Sequence, residues 1–211
     1  MTATTDLASL DAEFDYVAVI DCLPLVQRRT SRLSHSLMDV LHGLGYSFTT
    51  FPCDTIEAVR KAHGRILWDA KEGRGAVIDI ICHGNEREVG IGDRSERLPW
   101  PDLAKMWEPI NAAMSGRLLV LMSTCEGINA IKASAATLGE PFFGLIGTKE
   151  KQPVETARQI NELFFKSLGQ GVDIARFIED AERTWGDNFV RGITAQFWRG
   201  LKAGKLGLFR E

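Results

Sequence analysis

Residues 76–84 read AVIDIICHG, an apolar run broken only by Asp79 that stops abruptly at Cys82, His83 and Gly84. Its length and its Val and Ile content predict a strand covered on both faces, because a half-exposed strand would alternate polar and apolar residues. Gly84 alone would serve as the turn that ends it. His83 asks for a further reason: an imidazole titrates near neutral pH, and this one stands at the lip of a strand.

The flanking segments extend the pattern. FDYVAVID (14–21) and YSFTTFP (46–52) read as the first and second strands, RLLVLMS (117–123) and PFFGLIG (141–147) as the fourth and fifth. Between the first two, Val26, Leu33, Leu37, Val40, Leu41 and Leu44 fall at helical spacing over 26–44, with Gly45 placed to stop the helix. Asp54 is expected to cap a helix that runs to about Glu72 and ends at Gly73. EVGIGDRSERLPW (88–100) predicts a small hairpin, and helices are expected from about Pro101 to Gly116, over INAIKASAATLG (128–139), and over 153–168 and 172–185. Strands that alternate with helices predict an α/β fold of three layers, a mostly parallel central sheet with helices on both faces. One domain over 14–186 is expected, preceded by an N-terminal arm (1–13) and followed by a C-terminal segment (187–211) docked on it through Phe189, Phe197, Trp198 and Phe209.

The chain has 211 residues, enough for one well-cored domain, and a formal net charge of −3. That balance lacks the basic footprint expected of a nucleic-acid or anionic-membrane binder. No stretch reaches the roughly 18 apolar residues of a membrane span, and MTATTDLASLDAEFD does not read as a secretory signal, so a cytoplasmic protein is expected. The four cysteines, Cys22, Cys53, Cys82 and Cys125, contain no C-x-x-C pair. Neither a metal cluster nor a disulfide framework is expected from them.

In open α/β sheets ligands bind beyond the carboxyl ends of the strands. The fourth strand ends LLVLMSTCEG (118–127), placing Cys125 on a strand-to-helix turn. If the third and fourth strands are parallel neighbours, His83 and Cys125 leave the sheet side by side. A thiol and an imidazole suffice for nucleophilic acyl transfer: the thiolate attacks, and the imidazole takes and returns protons. A helix starting just after Cys125 would favour the thiolate, and backbone N–H groups of Gly84 and Cys125 would face a developing oxyanion. His35, His42 and His63 fall within predicted helices without acidic or thiol partners at ligand spacing and are read as structural or exposed.

Cys-His-Gly after the third strand, a hairpin, and then VLMSTCEG (120–127) after the fourth resemble the caspase-like (clan CD) cysteine peptidases, and within that clan the CHAT domains. The CHAT pattern is an H-G turn followed by a strand ending S-A-C-E-T-G; here Thr124 replaces Ala and one residue is missing before Gly127. The likeness continues through GLIGTKEKQPVETARQINELFFKSLGQGVDIARFIEDAERTWG (144–186), although Ile146, Gly147 and Thr148 stand where the family often has a tryptophan. The resemblance implies peptide-bond hydrolysis with His83 as general base, Cys125 as nucleophile and Gly84 as an oxyanion donor, without a cofactor. It also implies a protein or peptide substrate and restraint by a separate sensor or activating protein.

In caspase-like peptidases the end of the first strand helps line the pocket for the residue before the scissile bond. Asp21 has that position, and a carboxylate there would favour Arg or Lys; the alternative is that Asp21 caps its own turn. Glu126 would either face the site or hold a neighbouring loop. Two other functions are open: a catalytically silent interaction module with the same fold, and a flavodoxin-like or nucleotide-binding sheet. The chain contains no glycine-rich phosphate loop of the familiar kinds to support the last.

Overall fold

In a computed structural model, residues 14–93, 96–131, 137–171, 174–186 and 189–194 are described. Six strands form the main sheet in the order β2-β1-β3-β7-β8-β9: β1 (Tyr16–Asp21), β2 (Phe48–Pro52), β3 (Ala76–Ile81), β7 (Leu119–Ser123), β8 (Gly144–Thr148) and β9 (Val190–Thr194). The first five are mutually parallel, and β9 runs antiparallel on the β8 edge. A small antiparallel sheet of β4 (His83–Gly84), β5 (Glu88–Ile91) and β6 (Glu96–Pro99) follows directly from β3. The α/β three-layer arrangement expected from the alternation is therefore present.

Every residue of β1, β3, β7 and β8 is buried, as strands covered on both faces require. Successive side chains go to opposite faces. Ala18, Ile20, Ile78 and Ile80 pack with Ile66 of α3 (Ile56–Lys71) and Leu103 and Trp107 of α4 (Trp100–Ala113). Val17, Val19, Val77 and Leu121 pack with Leu37 and Leu41 of α2 (Leu33–Gly43), Phe164 of α5 (Val154–Gly169) and Phe177 of α6 (Ile174–Trp185). Among the described residues, no helix is long and apolar enough to cross a membrane.

Three expectations change in detail. The helix expected over 26–44 is two helices, α1 (Leu25–Ser31) and α2, because Arg32 adopts φ 53°, ψ 18° and turns the chain between them. Val26 belongs to α1 and is 68% exposed, so it does not share the apolar face of Leu37 and Leu41. The cap of α3 is Thr55, whose hydroxyl accepts from Ala58 N–H at 3.1 Å; Asp54 instead pairs with Arg28. Part of the C-terminal segment supplies β9, a strand that the aromatic and basic residues around it concealed. Residues 1–13 and 195–211, including Phe197, Trp198 and Phe209, lie outside the described residues.

Candidate active site

β3 and β7 are parallel neighbours with Ile81 paired to Ser123, so His83 and Cys125 each stand two residues beyond paired positions. Both line a cavity of about 380 Å³ at the carboxyl end of the sheet. The sheet side contributes Cys82, His83, Ser123, Thr124 and Cys125; Gln152 comes from the connection between β8 and α5, and Val154 and Ala157 from the first turn of α5. The third side is built by Leu23, Gln27, Thr30, Ser31 and Leu33, from the β1–α1 loop, α1 and the start of α2.

Gly84 fits its position because no side chain would. A Cβ there would lie 2.5 Å from Thr124 Oγ1 and 2.6 Å from the Cys125 carbonyl oxygen, so the strand carrying His83 lies directly against the turn carrying Cys125. The turn is seated just as tightly on β8. A Cβ on Gly127 would be 2.6 Å from Met122 Cβ, and one on Gly147 would be 2.7 Å from Ile128 N. The Ile-Gly-Thr sequence at 146–148 thus has a local purpose: Gly147 admits the turn, and Thr148 reaches across it. Thr148 Oγ1 lies 3.1 Å from both the Thr124 and Glu150 carbonyl oxygens, to which it donates, and Gln152 Nε2 donates to the same Thr124 oxygen at 3.3 Å.

Cys125 is half-buried, and its Sγ approaches the Gln152 carbonyl oxygen at 3.9 Å. His83 is exposed, and its Nε2 donates to Gln27 Oε1 at 2.5 Å; among the described residues it has no hydrogen bond to a cysteine. The other three cysteines are buried. Contact with Cys53, then burial, raises the Cys22 thiol, and burial pushes Cys82 up to about 12. Cys82 therefore stays protonated beside His83, while Cys125 brings its thiol to the cavity. His63 is buried with Nδ1 2.8 Å from the Val59 carbonyl oxygen, and burial lowers it to about 4, which suits a neutral structural histidine.

Asp21 does not line the cavity. It is 5% exposed, its Oδ1 accepts from Leu23 N–H at 3.0 Å, and Arg28 Nε lies 3.4 Å away. Its carboxylate closes its own turn and neutralises Arg28, which is the second of the two readings its position allowed. Glu126 likewise acts through its backbone. At φ 54° its N–H donates to the Glu150 carbonyl oxygen at 3.2 Å, and its carbonyl accepts from Asn129 Nδ2 at 3.0 Å. Cys125 is followed by a 3-10 turn, Gly127–Asn129, which leads into α-helix at Ala130 and Ile131; residues 132–136 of the helix expected over 128–139 lie outside the described residues.

Two residues of the site were not anticipated, Gln27 and Gln152. Thr148 closes the fifth strand, at a carboxyl end where site residues are expected, and Gln152 follows four residues later. Gln27 gave no signal, because a surface glutamine on a predicted helix has no distinguishing spacing.

No protein-family model matches the chain, and no curated protein matches it. Asp79 on β3 is wholly buried and lies beside Ser123, a residue of the cavity lining. Burial pushes its carboxyl up to about 7, and the nearby Ser123 hydroxyl opposes that rise. Ser123 also donates to Asn161 Oδ1 at 2.8 Å, so it links the cavity floor to α5.

Proposed function

We propose that the chain is a cytoplasmic cysteine endopeptidase of the caspase-like, CHAT-domain kind, using His83 and Cys125. The observation that carries the reading is the shared cavity: adjacent parallel strands bring one imidazole and one accessible thiol to the same opening, with Gly84 packed against the Cys125 turn. In this mechanism His83 takes the Cys125 proton as sulfur attacks the scissile carbonyl carbon. The tetrahedral oxyanion is held by backbone N–H groups at Gly84 and Cys125. Collapse returns the proton to the leaving amine and leaves an acyl-enzyme. Water, activated by the same imidazole, then releases the acid and restores the thiol.

The expected preference for Arg or Lys rested on Asp21, whose carboxylate is engaged by Leu23 N–H and Arg28. Leu23, Leu33, Val154 and Ala157 give the cavity apolar walls, which suit an uncharged side chain before the scissile bond. Restraint by a separate activating protein remains part of the proposal, since an unregulated endopeptidase would damage its host. The second reading, a silent interaction module, is favoured by one observation: His83 bonds to Gln27 and has no hydrogen bond to Cys125 among those described.

The test is to map new protein N-termini in a cell lysate incubated with the wild type or with Cys125→Ala. Cuts made only by the wild type are expected, with uncharged residues before them. Identical N-termini in the two samples, together with equal alkylation rates of Cys125 in the wild type and His83→Ala, would overturn the peptidase reading.

A further inference from the structure

Gln27 stands on α1, a helix with no buried residue, and is itself exposed, yet its side chain is committed to His83. An amide oxygen only accepts hydrogen bonds, so the 2.5 Å contact between Gln27 Oε1 and His83 Nε2 places the ring proton on Nε2. Nδ1 then carries the lone pair and is the nitrogen free to take the thiol proton. The contact also fixes the rotation of a ring that is otherwise exposed.

The support of Gln27 comes from its neighbour. Arg28 is 11% exposed, donates through Nε to the Leu23 carbonyl oxygen at 2.8 Å, and pairs with Asp21 at 3.4 Å and with Asp54. These contacts hold α1 against the carboxyl ends of β1 and β2 without any buried apolar side chain. The left-handed Arg32 ends the helix and lets α2 return to the core separately. Asp21 thus bears on the cavity indirectly, by holding the helix that carries Gln27.

We propose that Gln27 is a positioning residue for the His83–Cys125 pair, holding the imidazole in the Nε2–H form so that Nδ1 accepts the Cys125 proton. The proposal rests on the peptidase reading. When the proton moves from Sγ to Nδ1, the ring becomes cationic, and the Nε2–H bond to the Gln27 oxygen strengthens as charge develops. The ordinary cost of ordering a surface glutamine is thereby offset when the ring is charged. The neighbouring charged groups are accounted for: Arg97, beside Gly90 opposite His83, pairs with Glu88 at 3.6 Å, and Arg28 is turned to Asp21 and Asp54.

The experiment measures alkylation of Cys125 by iodoacetamide against pH, with ¹⁵N NMR of the ring nitrogens of His83, in the full chain and its variants. Gln27→Ala is expected to slow alkylation about ten-fold, the lower end of what losing a hydrogen bond to a charged group costs. Its ring spectrum should change from the Nε2–H form to a mixture of the two neutral forms. Gln27→Glu should restore the rate and move the His83 titration to higher pH, since a carboxylate opposite Nε2 favours the cation. Arg28→Ala should reproduce part of the Gln27→Ala effect, whereas Val26→Ser, on the exposed face of the same helix, should not.

Unchanged rate and ring spectrum in Gln27→Ala, with His83→Ala slow, would overturn the role of Gln27 and leave the peptidase reading intact. Faster alkylation in Gln27→Ala would also overturn it, showing that Gln27 restrains His83 instead. Equal rates in the wild type and His83→Ala would remove the pair itself, and the proposal with it.

Discussion

Two cavities of similar size lie at opposite ends of the parallel strands of the main sheet. The cavity at the amino ends, about 330 Å³, is lined by Phe14, Asp15, Gly75, Met114 and Arg117 together with the ends of α3 and α4. Its polar groups are spent on closing loops: Asp15 Oδ2 accepts from Gly75 N–H at 2.6 Å, and Arg117 Nε donates to the Met114 carbonyl oxygen at 3.2 Å. The cavity at the carboxyl ends, about 380 Å³, is lined by a thiol and an imidazole, and the buried Asp79 carboxyl lies beside its Ser123. Volume does not distinguish the two; the chemistry of the lining does. Where parallel strands end, neighbouring connections leave toward opposite faces, and the crevice between them exposes the residues just beyond the strands.

The largest expected effect tests that contrast directly. Cys125→Ala should lower peptide cleavage by at least about 10³-fold, the scale on which loss of a nucleophile acts. Arg117→Ala, at the other cavity, should leave it within about two-fold, because a surface loop contact is worth about 1 kcal/mol or less to stability and nothing to the reacting atoms. Cleavage assays on both variants decide this, and comparable losses would mean that the two ends are not chemically distinct.

Asp79 gives the next largest effect, on stability. Unfolded, its carboxyl loses its proton near 3.8; folded, burial holds the proton to about 7. Between those values unfolding releases a proton, so the contribution of Asp79 is fully favourable below about pH 4 and is lost as pH rises through 7. The loss is on the order of 4 kcal/mol. Urea denaturation should show Asp79→Asn gaining stability relative to the wild type as pH rises from about 4 to about 7, with the difference constant above that range. A difference that does not change with pH would show that Asp79 is not the buried titrating group.

Gly84→Val should cost about 1–3 kcal/mol, as overpacking does, because the new side chain would displace Thr124 Oγ1 and the Cys125 carbonyl. Gly64→Ala, in the middle of α3 with nothing within 4 Å of the added carbon, should instead stabilise by about 0.5–1 kcal/mol. Denaturant midpoints of the two variants should move in opposite directions. If Gly84→Val is neutral, the close approach of the His83 strand to the Cys125 turn is not rigid.

Much of the architecture was legible from period and composition. The continuous apolar runs of β1, β3, β7 and β8 specified a doubly covered parallel sheet, and the residues just beyond β3 and β7 specified His83 and Cys125 as the pair to consider. The site's supporting contacts were not legible in the same way. Asp21 had the right position to face a substrate, and only its hydrogen bond from Leu23 N–H and its pairing with Arg28 decide that it turns inward. Val26 fell on the helical period of α2, and only the left-handed Arg32 separates it from that face.

Burial of apolar runs is repetitive and non-directional, so it leaves a periodic mark in the sequence and fixed the layers of this protein in advance. The contact of Gln27 with His83, and those of Thr148 and Gln152 with the Thr124 carbonyl, depend on single polar atoms meeting within hydrogen-bond distance from residues 24 to 56 positions apart. Hydrogen bonds of that kind are directional and leave no period. The tertiary structure alone brings those partners together.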